Sequence, residues 1–274
     1  MIAVRLFFYG AALILVGAVP AFCSLGSVIS SFKVADNRFT DAYSVGRDAT
    51  YVYYITKDRP TPGYRLTYRY PGGGGGRSLW VGRFPASHGD ADRSVLGSGY
   101  IADVYREGSG PQTITDFDIR TGSAVASWVP LGSMQGYAYN PALGIRYVGS
   151  NNYVYRYNRQ GSLLSSFGAP MGILGLAATR DFAGKRGEYI IVTISHYWYA
   201  FTGQGVEVAR VLFPWEFSGI STSACGPGYP PAYGNTLWCL ATVKLADVYV
   251  CQLYLGNATA VAPASVGRIK ALYR

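Results

Sequence analysis

One recurring pattern limits what this chain can become. Gly26-Ser-Val-Ile-Ser-Ser-Phe32, Gly122-Ser-Ala-Val-Ala-Ser-Trp128 and Gly161-Ser-Leu-Leu-Ser-Ser-Phe167 each set a glycine before a short segment that ends on an aromatic ring. Weaker copies run from Arg77 to Phe84 and from Gly205 to Phe213, and a degenerate sixth begins near Gly256. The starts at 26, 77, 122, 161, 205 and 256 are separated by 51, 45, 39, 44 and 51 residues. A period of this length means a stacked or radial array of one supersecondary unit.

The content of the unit is read most easily after the second copy. Gly136 to Asn140, Ile145 to Val148 and Tyr153 to Tyr157 are strand-like runs split by Asn-Pro and Ser-Asn-Asn turns. The next unit repeats the order with Gly172 to Thr179, Glu188 to Ser195 and Tyr197 to Phe201. An earlier one has Thr40 to Val45, Thr50 to Thr56 and Tyr64 to Tyr70. With the Gly-to-Phe segment each unit holds four strands, the content and period of a propeller blade. The unit resembles the secreted bacterial β-propellers of the broad WD40-like and YVTN/NHL-like kind. That resemblance is architectural and covers nearly all of 26–256. The Trp-Asp dipeptides of true WD40 blades and the clustered acids of a metal-dependent lactonase propeller are absent from the sequence, so no family activity transfers to a residue here.

The expected fold is therefore an all-β propeller of four-stranded blades. Five complete units follow Phe32, and the poor patterning between Pro85 and Arg120 leaves room for six. The segment 26–32 is then an orphan outermost strand. A ring must close to hide its strand edges, and the economical closure lets this N-terminal strand complete the last blade, built from about Ser218 to Leu255. The expected organisation is a leader over 1–24, a propeller over 25–257, and an edge strand or basic tail over 258–274.

The leader reading rests on Arg5, on the uncharged apolar stretch of 14 residues from Leu6 to Val19, and on Pro20-Ala21 beyond it. The stretch is shorter than the roughly 18 residues that cross a bilayer as a helix, and no other segment spans. Cleavage is expected after Ala21, with Cys23 second. Lipid attachment at Cys23 fits poorly with the bulky Phe22 before it. Export gives a secreted, periplasmic or cell-surface location.

There the four cysteines, Cys23, Cys225, Cys239 and Cys251, are disulfide candidates. Closure of the ring brings Cys23 toward Cys251 or Cys225 and leaves Cys225 with Cys239, although four cysteines allow three pairings.

The chain carries 49% hydrophobic and 14% charged residues, with 35 Gly and 24 Tyr, a mixture that excludes an all-helical or disordered chain. Its net charge of +9 is scattered with no run of three arginines, which argues for a solubility charge and against a nucleic-acid partner.

Catalytic signals are weak. His88 and His196 are the two histidines available as a base, and Ser195 next to His196 would point to the opposite face of a strand. His88, Asp90 and Asp92 form a weak candidate metal group, and Asp116 and Asp118 share a strand face. The five glycines at 72–76 lack the Lys-Ser/Thr of a phosphate loop. No cofactor is expected.

Alternating tyrosines are more suggestive: Tyr51 and Tyr53, Tyr153, Tyr155 and Tyr157, and Tyr197 and Tyr199. With Arg65, Arg69 and Arg156 nearby they suit sugars or peptides. The expected ligand-binding group is Tyr153, Tyr155, Tyr157 and Arg156. The functional expectation is a non-catalytic binding propeller for glycans or envelope proteins. Its competitors are a glycan hydrolase or lyase, which needs converging carboxylates, and an outer-membrane barrel, which needs strands of about 9 to 11 residues.

Overall fold

The computed structural model describes residues 23–256, apart from 37–39, 48, 59–63, 73–76, 81–92, 97–99, 107–111, 119–123, 133, 141, 218–222, 230 and 244–246. The chain is all-β, with one short 3-10 turn at Pro231–Tyr233 among the described residues. Its first strand is β1 (Val28–Asp36). Four antiparallel four-stranded meanders follow in order. Sheet 1 holds β2 (Thr40–Arg47), β3 (Val52–Asp58), β4 (Tyr64–Arg69) and β5 (Arg77–Trp80). Sheet 2 holds β6 (Arg93–Leu96), β7 (Tyr100–Arg106), β8 (Gln112–Asp118) and β9 (Ala124–Trp128). Sheet 3 holds β10 (Gly136–Asn140), β11 (Ile145–Ser150), β12 (Tyr153–Tyr157) and β13 (Leu163–Gly168). Sheet 4 holds β14 (Gly175–Phe182), β15 (Lys185–Ile194), β16 (Tyr197–Thr202) and β17 (Glu207–Leu212). The remaining strands are β18 (Glu216–Phe217), β19 (Ser223–Pro227), β20 (Asn235–Val243) and β21 (Asp247–Tyr254). They form sheet 5 with β1, in the order β1-β21-β20-β18, while β19 also pairs with β20.

The sheets are arranged as a propeller. The innermost strands touch in the cyclic order β2, β6, β10, β14, β19 and back to β2. Strands divided among separate meanders do not form the one continuous sheet of an outer-membrane barrel. No helix among the described residues is long and apolar enough to cross a membrane.

The core lies in the seams between sheets, because each blade has two apolar faces and alternation sends successive residues to different neighbours. In sheet 4, Leu176, Ile190, Val192 and Phe201 face sheet 3 and meet Tyr147 and Val154. From the opposite face Ala177, Ile191, Trp198 and Ala200 meet Leu237, Cys239, Cys251 and Leu253 of sheet 5. Val45 and Val52 of sheet 1 pack with Trp238, Leu240, Val248 and Val250. Ile114 and Trp128 of sheet 2 pack with Tyr137, Val148 and Tyr157. Burying each such side chain contributes about 1.5 to 3 kcal/mol, so the seams between neighbours hold the fold together.

The sequence repeat has a structural job at these seams. Gly161 and Gly205 sit at φ +85° and +83° in the turns entering β13 and β17, a left-handed backbone that suits glycine. Each presses on the preceding blade. A Cβ on Gly161 would lie 2.9 Å from Trp128 Cβ, and one on Gly205 would overlap Phe167, the aromatic that closes the previous copy of the motif. Gly26, at φ +84°, repeats this against Val211 of sheet 4.

The same equivalence shows how the first described strand meets the last. In the turn of sheet 3, Asn158 N–H donates to Ser162 O at 3.0 Å and Gly161 N–H donates to Asn158 O at 3.1 Å. In sheet 4 the pair is Thr202 to Val206 and Gly205 to Thr202, both 2.9 Å. In sheet 5 Tyr254 donates to Ser27 at 2.9 Å and Gly26 to Tyr254 at 2.8 Å, with no chain linking them. Strand β1 then runs antiparallel to β21, with Ser31 opposite Cys251 and Phe32 opposite Val250.

The expected disulfide staples are not formed: Cys23, Cys225, Cys239 and Cys251 are all free thiols. Cys23 lies before β1, while Cys251 stands opposite Ser31, further along that strand. Cys225 faces Leu237 across the sheet, and Cys239 faces Ser223. Cys239 is instead the direct cross-strand partner of Cys251. Burial, reinforced by a hydrogen bond with Cys251, pushes the Cys239 thiol well above its ordinary value and keeps it protonated.

Candidate binding surface

The expected group at Tyr153, Tyr155, Tyr157 and Arg156 is divided by the pleat of β12. The three tyrosines stand at alternate positions and Arg156 between them, so the arginine faces the other neighbour. Arg156 Nε and Nη2 donate to Glu188 Oε1 and Oε2 of sheet 4 at 2.5 and 2.8 Å. Tyr147 O–H donates to the same carboxylate at 2.5 Å. The fork raises the Arg156 pKa, and burial with the Glu188 contact raises that of Tyr147. Tyr157 is buried at 4.8 Å from the Trp128 ring, and its oxygen accepts from Leu131 N–H at 2.8 Å. Tyr153 is the exposed member and lies 6.1 Å from half-buried Tyr155.

The other sequence candidates lie elsewhere. His88, Asp90 and Asp92 fall outside the described residues. Among the described residues no group of three or more His, Cys, Asp or Glu side chains converges to hold a metal ion. Asp116 and Asp118 occupy β8, opposite Ala102 and Tyr100. His196 lies in the turn between β15 and β16, with Nδ1 3.2 Å from Trp215 O.

Tyr197 and Tyr199 form a ladder with Phe201 and Phe167, at centroid spacings of 6.3, 6.4 and 5.4 Å. Arg210 covers Tyr199 at 5.0 Å while pairing with Glu207. The outer end of this ladder, at Tyr197 and Leu212, is exposed.

A more constructed surface lies where sheet 5 meets sheet 1. Tyr51 precedes β3, and its ring lies 5.0 Å from both Tyr68 and Tyr70 of the neighbouring strand and turn. The Tyr51 and Tyr70 hydroxyls are 3.3 Å apart. Two residues after Tyr70, the bare Cα of Gly72 lies against the Tyr229 ring, where a Cβ would overlap it. Tyr70 is 52% exposed and Tyr229 46%. A mosaic of phenol rings from two blades thus faces solvent.

Two buried polar side chains fix that mosaic. Arg47, 6% exposed, donates from Nε to Pro227 O and from Nη1 to Tyr51 O, both at 3.0 Å. Its guanidinium lies 5.6 Å from the Trp238 ring centre. One cation thereby ties the backbone that leads into Tyr229 to the backbone that carries Tyr51. Gln252, fully buried, holds Tyr229 directly. With its amide turned to satisfy both ends, the oxygen accepts from Tyr229 N–H at 2.8 Å and the nitrogen donates to Tyr229 O at 3.1 Å. That nitrogen also reaches Ser30 Oγ of β1 at 2.9 Å. Gly228 N–H to Gly234 O, 2.7 Å, closes the loop. Tyr51 was visible in the sequence as an alternating aromatic. Tyr229 was missed because it sits in the Gly-Pro-Gly-Tyr-Pro-Pro run at 226–231, where no periodicity marks it; an aromatic amid turn residues was the available signal.

No family model matches the sequence, and no curated protein matches it. Solved structures that superpose on it include BBS1N in complex with ARL6DN, soaked with mercury. That pair has 18% identity and a TM-score of 0.42, and spans 81% of this chain and 66% of the other. The lead-soaked form of the complex gives the same identity and TM-score over 82% and 67%. Apo AztD from Citrobacter koseri gives 12% and 0.36, over 66% of this chain and 49% of that one.

Proposed function

We propose that this chain is an exported, non-catalytic binding propeller of five blades that uses the tyrosine mosaic between sheets 5 and 1 to hold a ligand at the cell surface. The cyclic contacts of the inner strands support the blade number, with β1 completing the fifth blade. The apolar stretch from Leu6 to Val19 supports export. The observation that carries the binding role is the use of buried Arg47 and Gln252 to fix the backbone around Tyr51 and Tyr229. Burying a cation is costly unless its donors are satisfied, and here those donors hold exposed rings in one arrangement. A surface ordered in advance does not spend its contacts on ordering itself. The charged groups Arg156 and Glu188 serve a seam, and Arg210 with Glu207 covers a ring on the rim.

The test is attachment. Fluorescently labelled full chain, added to cells of the producing organism, should stain them saturably. The double variant Tyr70→Ala/Tyr229→Ala should stain about tenfold less, in line with the loss of two ring contacts. Equal staining by the variant, or none by the native chain, overturns the reading.

A further inference from the structure

We infer that the tyrosine mosaic is a subsite for a neutral glycan, with the rings of Tyr70 and Tyr229 taking the apolar faces of pyranose units. This rests on the binding role assigned to the surface above and supplies its ligand class.

Three features of the corner select that chemistry. The first is shape. Tyr51 fills the space beside Tyr68 and Tyr70, 5.0 Å from each and tilted by 69° and 47°. Rings packed so closely leave no slot between them for a proline or an aliphatic side chain to enter. A ligand must then lie against the exposed rings of Tyr70 and Tyr229, a shelf whose faces suit the apolar face of a sugar ring. Gly72 extends the shelf by letting the Tyr229 ring lie against backbone.

The second is charge. Arg47 turns its guanidinium inward to two carbonyls, and Arg69 lies over the Phe32 ring at 4.2 Å. Of the cations whose side chains are described at the corner, Arg47 is turned to backbone and Arg69 lies over an aromatic face, so neither is aimed at an anionic ligand on the shelf. The third is the rim of the shelf. Phenol hydroxyls both donate and accept, as the 3.3 Å contact between Tyr51 and Tyr70 illustrates. Sugar hydroxyls have the same dual capacity, so an apolar face and a hydroxyl edge of the sugar meet their counterparts together.

The experiment titrates the full chain with cellohexaose, chitohexaose and maltohexaose to about 1 mM, and with decaproline as the peptide comparison. Calorimetry and saturation-transfer NMR read the result. At least one hexasaccharide should bind. Tyr229→Ala and Tyr70→Ala should each weaken it about threefold, Tyr229→Phe should retain most of the affinity, and Leu212→Ala on the rim should leave it unchanged. Thermal melts of each variant separate lost binding from lost fold, and the exposed positions of Tyr70 and Tyr229 favour intact melts. The inference is overturned if no hexasaccharide binds, if the two alanine variants bind as the native chain does, or if decaproline binds in their place. Staining of cells that persists while the sugars fail rejects the glycan and leaves the binding surface; failure of both rejects the two together.

Discussion

At the scale of single residues, the repeat is a device for joining one blade to the next. A glycine recurs because its turn needs a positive φ and because the space above its Cα belongs to the neighbouring blade. The closing aromatic recurs because it fills that space, as Phe167 does for Gly205. Gly205→Ala is accordingly expected to cost about 2 to 5 kcal/mol, the sum of left-handed strain and an overpacked seam. Gly168→Ala, where a Cβ meets nothing within 4 Å, is the matched control and should change stability little. Urea denaturation of both variants checks this. The glycines were legible from the sequence as a spaced motif. Their contact with the previous copy was not, because it depends on how blades are rotated in the ring. The opposed directions of Arg156 and its flanking tyrosines are legible from parity along β12.

At the scale of strands and sheets, side chains with polar ends lock the seams that apolar residues fill. Tyr147 crosses from sheet 3 to Glu188 of sheet 4, and burial together with that carboxylate holds its hydroxyl protonated, raising its pKa above 10.0. A pKa raised by folding means that above about pH 10 the unfolded chain binds fewer protons than the folded one, so stability declines as pH rises. Below pH 10 this contribution is fully present. Alkaline unfolding should therefore begin above about pH 10. Tyr147→Phe should cost about 1 kcal/mol at pH 7 and make the alkaline decline shallower. Denaturation midpoints taken from pH 7 to 11 test both; an unchanged alkaline slope counts against the seam as described. Strand positions in sheets 1, 3 and 4 were readable because β-branched and aromatic runs there are bounded by turn residues: β10 and β12 begin and end where the sequence places them, while β3 and β14 begin two or three residues later. Sheet 2 was not. Its β7 and β8 include Asp103, Arg106, Asp116 and Asp118, and those charges break the apolar pattern on which strand reading depends.

At the scale of the molecule, closure and function share a strand. The sequence implied that the segment after Cys23 would join the last blade, since a ring with a missing edge strand leaves backbone unpaired. Less visible was what that strand carries: Ser30 bonds to Gln252, and Gln252 holds Tyr229 on the exposed corner. The site joins residues far apart in sequence, so composition and spacing could point to tyrosines as a class while leaving the cluster itself undefined. If β1 did not pair with β21, sheet 5 would lose its outer strand and Tyr229 part of its support. The direct measurement uses the register of that pair, in which Ser31 faces Cys251. Ser31→Cys in a Cys239→Ala background, mildly oxidised with glutathione disulfide and mapped by peptide mass spectrometry, should give a bond between position 31 and Cys251 within one monomeric chain. No such bond, or bonds between chains alone, would contradict a ring closed by its own first strand.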